Sequence, residues 1–143
     1  MAYEGMEEAG QENIVNLLRC AWAGSQKYGA LVWSGDIDSS FRSLRSQLAA
    51  GLNMGLAGIP WWTTDIGGFH GCNIYDEDFK EVLVRWFEFG AFCPVFRLHG
   101  FREPFKEPLG TTGGGKSISG AENEVWSYGD EVYGICKKYL ELR

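Results

Sequence analysis

The chain has 143 residues, a length that fits one domain, and carries 13 basic against 19 acidic side chains for a net charge of −6. Its 45% apolar content is enough for a sizeable core and excludes disorder. The acidic balance argues against a nucleic-acid or anionic-membrane partner, and no apolar run reaches the roughly 18–20 residues of a membrane span.

Residues 3–13 read as the end of a helix with a Glu-rich surface, broken at Gly10. Residues 16–22 are apolar except for Arg19 and read as a strand. Residues 30–33 form a second short strand, stopped by Ser34, Gly35 and Asp36. A helix follows, with Ser39 or Ser40 as its cap. Phe41, Leu44, Leu48 and Leu52 form its apolar stripe, and Gly55 and Gly58 end it. Residues 59–64 are the third strand, followed by a Gly-rich turn from Asp65 to Phe69. Asp76 or Asp78 opens a second amphipathic helix that buries Phe79, Val82, Leu83, Trp86 and Phe87. Residues 94–98 are expected to be a fourth strand. Residues 101–120, with Pro104 and Pro108, read as a long loop. Val125, Trp126, Val132, Cys136, Tyr139 and Leu140 line a last helix.

This alternation is the rhythm of a parallel α/β structure in one domain over 1–143. The strands are apolar without alternation, as expected when both faces are covered. One joint is short for a crossover: about eight residues separate the first two strands. It is either an irregular loop or a misread strand.

Composition adds two biases. Aromatics make up 15% of the chain, with 6 Trp, and there are 20 Gly. Rings on tightly turned loops suit a ligand site, although a well-packed core with many turns has the same composition. Cys20, Cys72, Cys93 and Cys136 show neither a C-x-x-C pair nor a His/Cys cluster. Buried free thiols are therefore expected, without a metal or another cofactor. No basic-then-apolar leader opens the chain, so a cytoplasmic location is expected; a chain that had lost its leader would read the same.

Polar residues gather where strands end. The first strand carries Arg19, the second runs into Trp33 and Asp36, the third into Trp61, Trp62 and Asp65, and the fourth into Arg97 and His99. In parallel α/β folds the carboxyl edge of the sheet holds the ligand. Acids accept bonds from hydroxyls, Arg and His donate, and indole faces pack on the apolar side of a sugar ring. Taken singly, Asp36 could cap a helix, Asp65 orient a turn, Arg97 pair with either acid and His99 be structural. Their recurrence at four successive strand ends points instead to a polyol pocket.

At these residues the chain resembles glycoside hydrolase family 31, the retaining α-glycosidases that include α-glucosidases and α-xylosidases. The resemblance rests on Leu18-Arg19-Cys20-Ala21, Val32-Trp33-Ser34-Gly35-Asp36, Thr64-Asp65-Ile66-Gly67-Gly68-Phe69 and Phe96-Arg97-Leu98-His99-Gly100, in the family's order and spacing. It implies the second half of a (β/α)8 TIM barrel, an incomplete barrel of about four parallel strands, 5 to 8. Asp36 would match the general acid/base. Arg19, Trp33, Asp65, Phe69, Arg97 and His99 would line the sugar subsite, and Trp61 and Trp62 would shape the same wall. The family's nucleophile is an Asp at the end of the fourth barrel strand, upstream of the Arg19 segment. A full barrel needs about 250 residues. The resemblance therefore implies a fragment that lacks the nucleophile and is inactive alone. It would take an α-glycoside or oligosaccharide as substrate, and it would self-associate or dock on the other half of the barrel. Glucose and xylose remain equally open.

Retaining hydrolysis needs two carboxyl groups roughly 5–5.5 Å apart, one attacking the anomeric carbon and one protonating the leaving oxygen. The local pattern alone would also allow Asp65 as nucleophile; the resemblance assigns it to hydroxyl binding. Two other functions compete. Residues 110–117, from Gly110 through Gly115 to Lys116 and Ser117, satisfy the phosphate-loop pattern of a nucleotide-binding protein, but prolines precede them and no helix opens at once. A non-catalytic sugar-binding module would use the same pocket residues without turnover.

Overall fold

Three short parallel strands carry the candidate site. The structure, a computed structural model, describes residues 1–143. β1 (Asn16–Leu18), β2 (Ala30–Trp33) and β3 (Trp62–Thr63) lie side by side in chain order, with Leu18 beside Val32 and Val32 beside Trp62. The expected strand at 94–98 occupies the next position without forming a ladder. Its only bridge joins Ile66 to Leu98, and the Thr63 hydroxyl donates to the Val95 carbonyl at 3.1 Å. Pro94 has no amide to contribute, which weakens pairing where this segment enters.

The other strands are shorter than their apolar runs. The Ile59 and Trp62 amides bond to the Met54 and Pro60 carbonyls, so residues 59–61 turn off the end of a helix before the sheet begins. The short joint between β1 and β2 is an irregular link. It holds one 3-10 turn, Ser25–Tyr28, between the left-handed Gly24 and Gly29.

The helices follow the sequence unevenly. α1 (Ala2–Glu8) stops short of Gly10. α2 (Phe41–Leu56) starts at Ser40, whose hydroxyl accepts from the Ser43 amide at 3.1 Å. Most of its expected stripe does not face the core: Phe41, Leu48 and Leu52 are exposed, and only Leu44 packs half-buried against it. The inner side of α2 is instead Gln47, Ala50, Gly51 and Met54. The reason is the bulk of Trp62, which fills the layer beneath the helix; a Cβ on Gly51 would sit 2.9 Å from its ring. Only small or slender side chains fit above that indole.

α3 (Glu77–Ala91) is capped by Asp76, which accepts from the Asp78 amide at 3.0 Å. It buries Phe79, Val82, Leu83, Trp86 and Phe87 as its periodicity predicts. The expected last helix is interrupted. Val125–Tyr128 is a separate 3-10 turn, Gly129 breaks the chain at φ +96, and α4 (Asp130–Leu142) then buries Val132 and Cys136 while Trp126 and Leu140 stay exposed. α3 and α4 pack together with Ile66, Ile74 and Tyr128 into one core of 12 buried residues, each large apolar side chain contributing about 1.5–3 kcal/mol. Arg143 ties the ends of the two helices by donating to the Ala91, Cys93 and Pro94 carbonyls.

All four cysteines are free. Cys93 and Cys136 are buried, but Cys72 is half-buried and Cys20 exposed, against the expectation of buried thiols throughout. No helix is long and apolar enough to cross a membrane.

Candidate active site

Beyond their carboxyl ends the strands give way to three turns that remain laced together. The Phe69 and His70 amides both donate to the Ile37 carbonyl, at 2.7 and 3.2 Å, and the Ser39 amide donates to the His70 carbonyl at 3.0 Å. The Phe101 amide donates to the Phe69 carbonyl at 2.8 Å, and the Glu103 amide to the Cys72 carbonyl at 2.9 Å. The turns following β2, β3 and the 94–98 segment thus form one rim. At Gly68 the backbones nearly touch. Its φ is +76, and a Cβ there would lie 2.6 Å from the Ser39 Cα.

Two acid–base pairs stand on this rim. Arg19 Nη2 lies 2.7 Å from Asp36 Oδ2, with both side chains well exposed, and the Arg19 guanidinium sits 5.4 Å from the centre of the Trp33 ring. Arg97 Nη2 donates to Asp65 Oδ1 at 2.7 Å. That pair follows from register: with Ile66 beside Leu98, the preceding residues face each other. Asp65 is fully buried, and its second oxygen, Oδ2, has no hydrogen-bond partner. Burial pushes the Asp65 carboxyl above the usual aspartate range. Arg97 and then His99 pull it back, and Asp36 pushes it up. Burial wins, because removing water penalises the charged form. Asp36, Arg97 and His99 thus all bear on the charge of one carboxyl. The Ser34 hydroxyl donates to the Thr64 hydroxyl oxygen at 3.2 Å, closing the base of the rim between β2 and β3.

Phe69 and His99 join the same cluster, their rings 5.5 Å apart. The two tryptophans of the third strand do not. Trp62 is buried under α2 with Val32 and Ile59, so it holds strand to helix rather than facing a ligand. Trp61 lines an apolar hollow with Ile14, Ala30 and Pro60 at the amino end of the strands, opposite the rim. Trp61 lies before β3 begins and Trp62 opens it, so neither belongs to the turn beyond its carboxyl end.

One rim residue escapes the sequence reading. Arg102 lies in the stretch read as loop, yet it is fully buried and donates to Ile66, Gly68, Phe69, Ser39 and Asn123. The available signal was indirect: a lone arginine two residues after Gly100, in a chain whose rim turn is also Gly-rich.

The chain that carries this rim is similar to known proteins along its whole length. Residues 1–143 match the glycosyl hydrolases family 31 TIM-barrel domain from end to end. The chain belongs to glycosyl hydrolase family 31. A family 31 α-xylosidase from a soil metagenome, solved with xylose, is 68% identical; the similarity covers 98% of this chain and 21% of that one, with a TM-score of 0.91. The α-xylosidase of Saccharolobus solfataricus is 38% identical over 99% of this chain and 17% of its own length. The xylosidase from Aspergillus niger has a TM-score of 0.81 at 31% identity, covering 99% of this chain and 20% of its own. The chain thus spans about a fifth of the length of these family 31 relatives.

The phosphate-loop pattern has no matching structure in this family 31 chain. Gly113–Lys116 is a 3-10 turn in an exposed loop, and Ser119 just beyond it pairs antiparallel with Lys106. No helix begins at Lys116, so its amides form no phosphate cradle. No three His, Cys, Asp or Glu side chains gather as a metal site.

Proposed function

We propose that this chain supplies the acid and sugar-gripping side of a retaining α-glycosidase, as strands 5 to 8 of its catalytic barrel. Asp36 is the general acid/base. Asp65, Arg97 and His99 hold ring hydroxyls, Arg19 lines the sugar subsite beside Asp36, and Trp33 and Phe69 pack on the sugar.

The observation that carries this reading is Asp65. A fully buried carboxyl with one oxygen bound by Arg97 and the other free of any partner leaves an acceptor to be satisfied. A buried acceptor without a partner costs about 1–3 kcal/mol; a sugar hydroxyl would relieve it once the rim opens to admit one, since Oδ2 itself has no free surface. Similarity to an α-xylosidase solved with xylose favours an α-xyloside as substrate.

The exposure of the two acids supports the following mechanism. Asp36 is the more exposed acid, open to a leaving group and to water. It protonates the departing oxygen, then takes a proton from water as the glycosyl-enzyme is hydrolysed. The family resemblance gives Asp65 to hydroxyl binding, so the nucleophile is assigned to polypeptide outside residues 1–143. The same polypeptide would cover the exposed Phe41, Leu48 and Leu52 of α2, and without it we expect self-association, read by sedimentation.

The test replaces the matching stretch of the soil-metagenome α-xylosidase with residues 1–143 and measures hydrolysis. The graft should turn over both a nitrophenyl α-xyloside and an unactivated xylosyl disaccharide. Asp36→Asn should slow the disaccharide by about 10²–10⁴-fold and spare the activated substrate more. Equal loss on both removes Asp36 from the acid role. A well-folded graft that binds sugar without turnover leaves only a binding module.

A further inference from the structure

Arg102 presents five N–H donors, and each has an acceptor. Nη2 donates to the Ile66 carbonyl at 3.2 Å and the Gly68 carbonyl at 2.7 Å, Nη1 to the Ser39 hydroxyl at 3.0 Å and the Phe69 carbonyl at 3.5 Å, and Nε to Asn123 Oδ1 at 3.4 Å. Three of the acceptors belong to the turn between Asp65 and Phe69. A fourth, Ser39, belongs to the turn that follows Asp36. None is a carboxylate.

Burying a cation without an opposite charge is costly, and an apolar side chain of similar size often stabilises a core as well or better. Stability alone therefore does not call for arginine here. What an apolar side chain cannot do is hold several carbonyls and a hydroxyl at fixed places around one plane. The guanidinium fork does this because its donor directions are rigid. The surroundings are shaped to admit it. A Cβ on Gly67 would lie 2.8 Å from Nη2, and one on Gly100 only 2.4 Å from the guanidinium, while the Phe79 ring lies 4.8 Å from Cζ on another side.

We propose that Arg102 is a positioning residue: its guanidinium holds the turn that carries Asp65 and Phe69 against the turn that follows Asp36, and so sets the spacing of the groups that grip the sugar. The reactive part of this proposal rests on the glycosidase reading above. The cation also pulls weakly against the rise of the Asp65 carboxyl, behind burial, Arg97, His99 and Asp36. Lysine has three donors and no fork, so it cannot serve five acceptors at once.

The test has two arms. In the first, amide hydrogen exchange is followed on the full chain. Arg102→Lys should speed exchange at residues 66–70 by tenfold or more and leave residues 79–91 of α3 unchanged. Ser39→Ala, which removes one acceptor and keeps the arginine, should speed the same turn by a smaller factor; it serves if the lysine variant fails to fold. Unchanged exchange at 66–70 in a folded variant overturns the proposal, as does equal acceleration throughout the chain.

In the second arm, the α-xylosidase graft is assayed with a nitrophenyl α-xyloside. Arg102→Lys should lower kcat by tenfold or more with a smaller change in KM. Val132→Ala, which loosens the core between α3 and α4 without removing a hydrogen bond to Arg102, should leave kcat within about twofold. Equal losses in the two variants mean a structural role only, and overturn the proposal. If the unmodified graft has no turnover, the glycosidase reading fails, and the exchange arm still decides whether Arg102 holds the turns.

Discussion

The rim holds two arginine–aspartate pairs with the same 2.7 Å separation and opposite surroundings. Asp36 is 40% exposed and Arg19 58%, so their attraction is screened by water and either side chain can swing away. Asp65 is 0% exposed and Arg97 24%, so that pair is held in a dry setting. Equal geometry therefore carries unequal consequences. The exposed pair suits a group that must release one proton and take up another, and the buried pair suits a group that must stay where it is.

The largest expected difference is in stability. Asp65→Ala strands Arg97 in its partly buried site and should cost about 3 kcal/mol, the lower end for a broken buried pair because Arg97 keeps some water contact. Urea unfolding measures it, and a loss below about 1 kcal/mol would erase the contrast between the pairs. The glycines beside each acid sharpen the comparison next. Gly68→Ala meets both a left-handed backbone and the Ser39 main chain, and should cost more than about 2 kcal/mol. Gly35→Ala, next to Asp36, meets the same strain at φ +81, but its Cβ reaches only ordinary contact with Arg19 at 3.8 Å, so about 1 kcal/mol is expected.

The buried acid should also appear in the pH dependence of stability. Burial raises the Asp65 carboxyl above its ordinary value, so the folded chain holds that proton more tightly than the unfolded chain does. Its contribution is present in full below the ordinary aspartate value and is lost as pH rises through the raised one. Asp65→Asn cannot ionise and should flatten the melting temperature over that window; an unchanged slope would place the titration elsewhere. The smallest effect belongs to the exposed pair. Asp36→Ala should change stability by about 0–1 kcal/mol and lose its salt dependence, while removing turnover in the graft.

Much of the site is visible in the sequence because short parallel strands turn at their ends, and polar residues there share one edge by construction. Asp36, Asp65, Arg97 and His99 needed only that rule. Trp61 and Trp62 broke it, since Trp61 lies before β3 at the amino end of the strands and Trp62 stands on the face of β3 that α2 covers. α2 and α3 show the same divide. Both helices were expected from their apolar spacing and capping residues. α3 buries the expected face, whereas α2 turns Gln47 and Gly51 inward because Trp62 occupies the space below. Arg102 was illegible because its importance lies in carbonyls 33 to 36 residues away.

The sequence by itself determined the parallel α/β order, the stripe of α3 and the family, and narrowed the two caps to Ser39 or Ser40 and Asp76 or Asp78, since these rest on local propensity and on motifs read in order. The tertiary structure alone decided which face of α2 is covered, that one acid is dry and the other wet, and that a buried arginine joins the two turns. Burial and hydrogen-bond partnership belong to neighbours distant in the chain, and no local pattern encodes them.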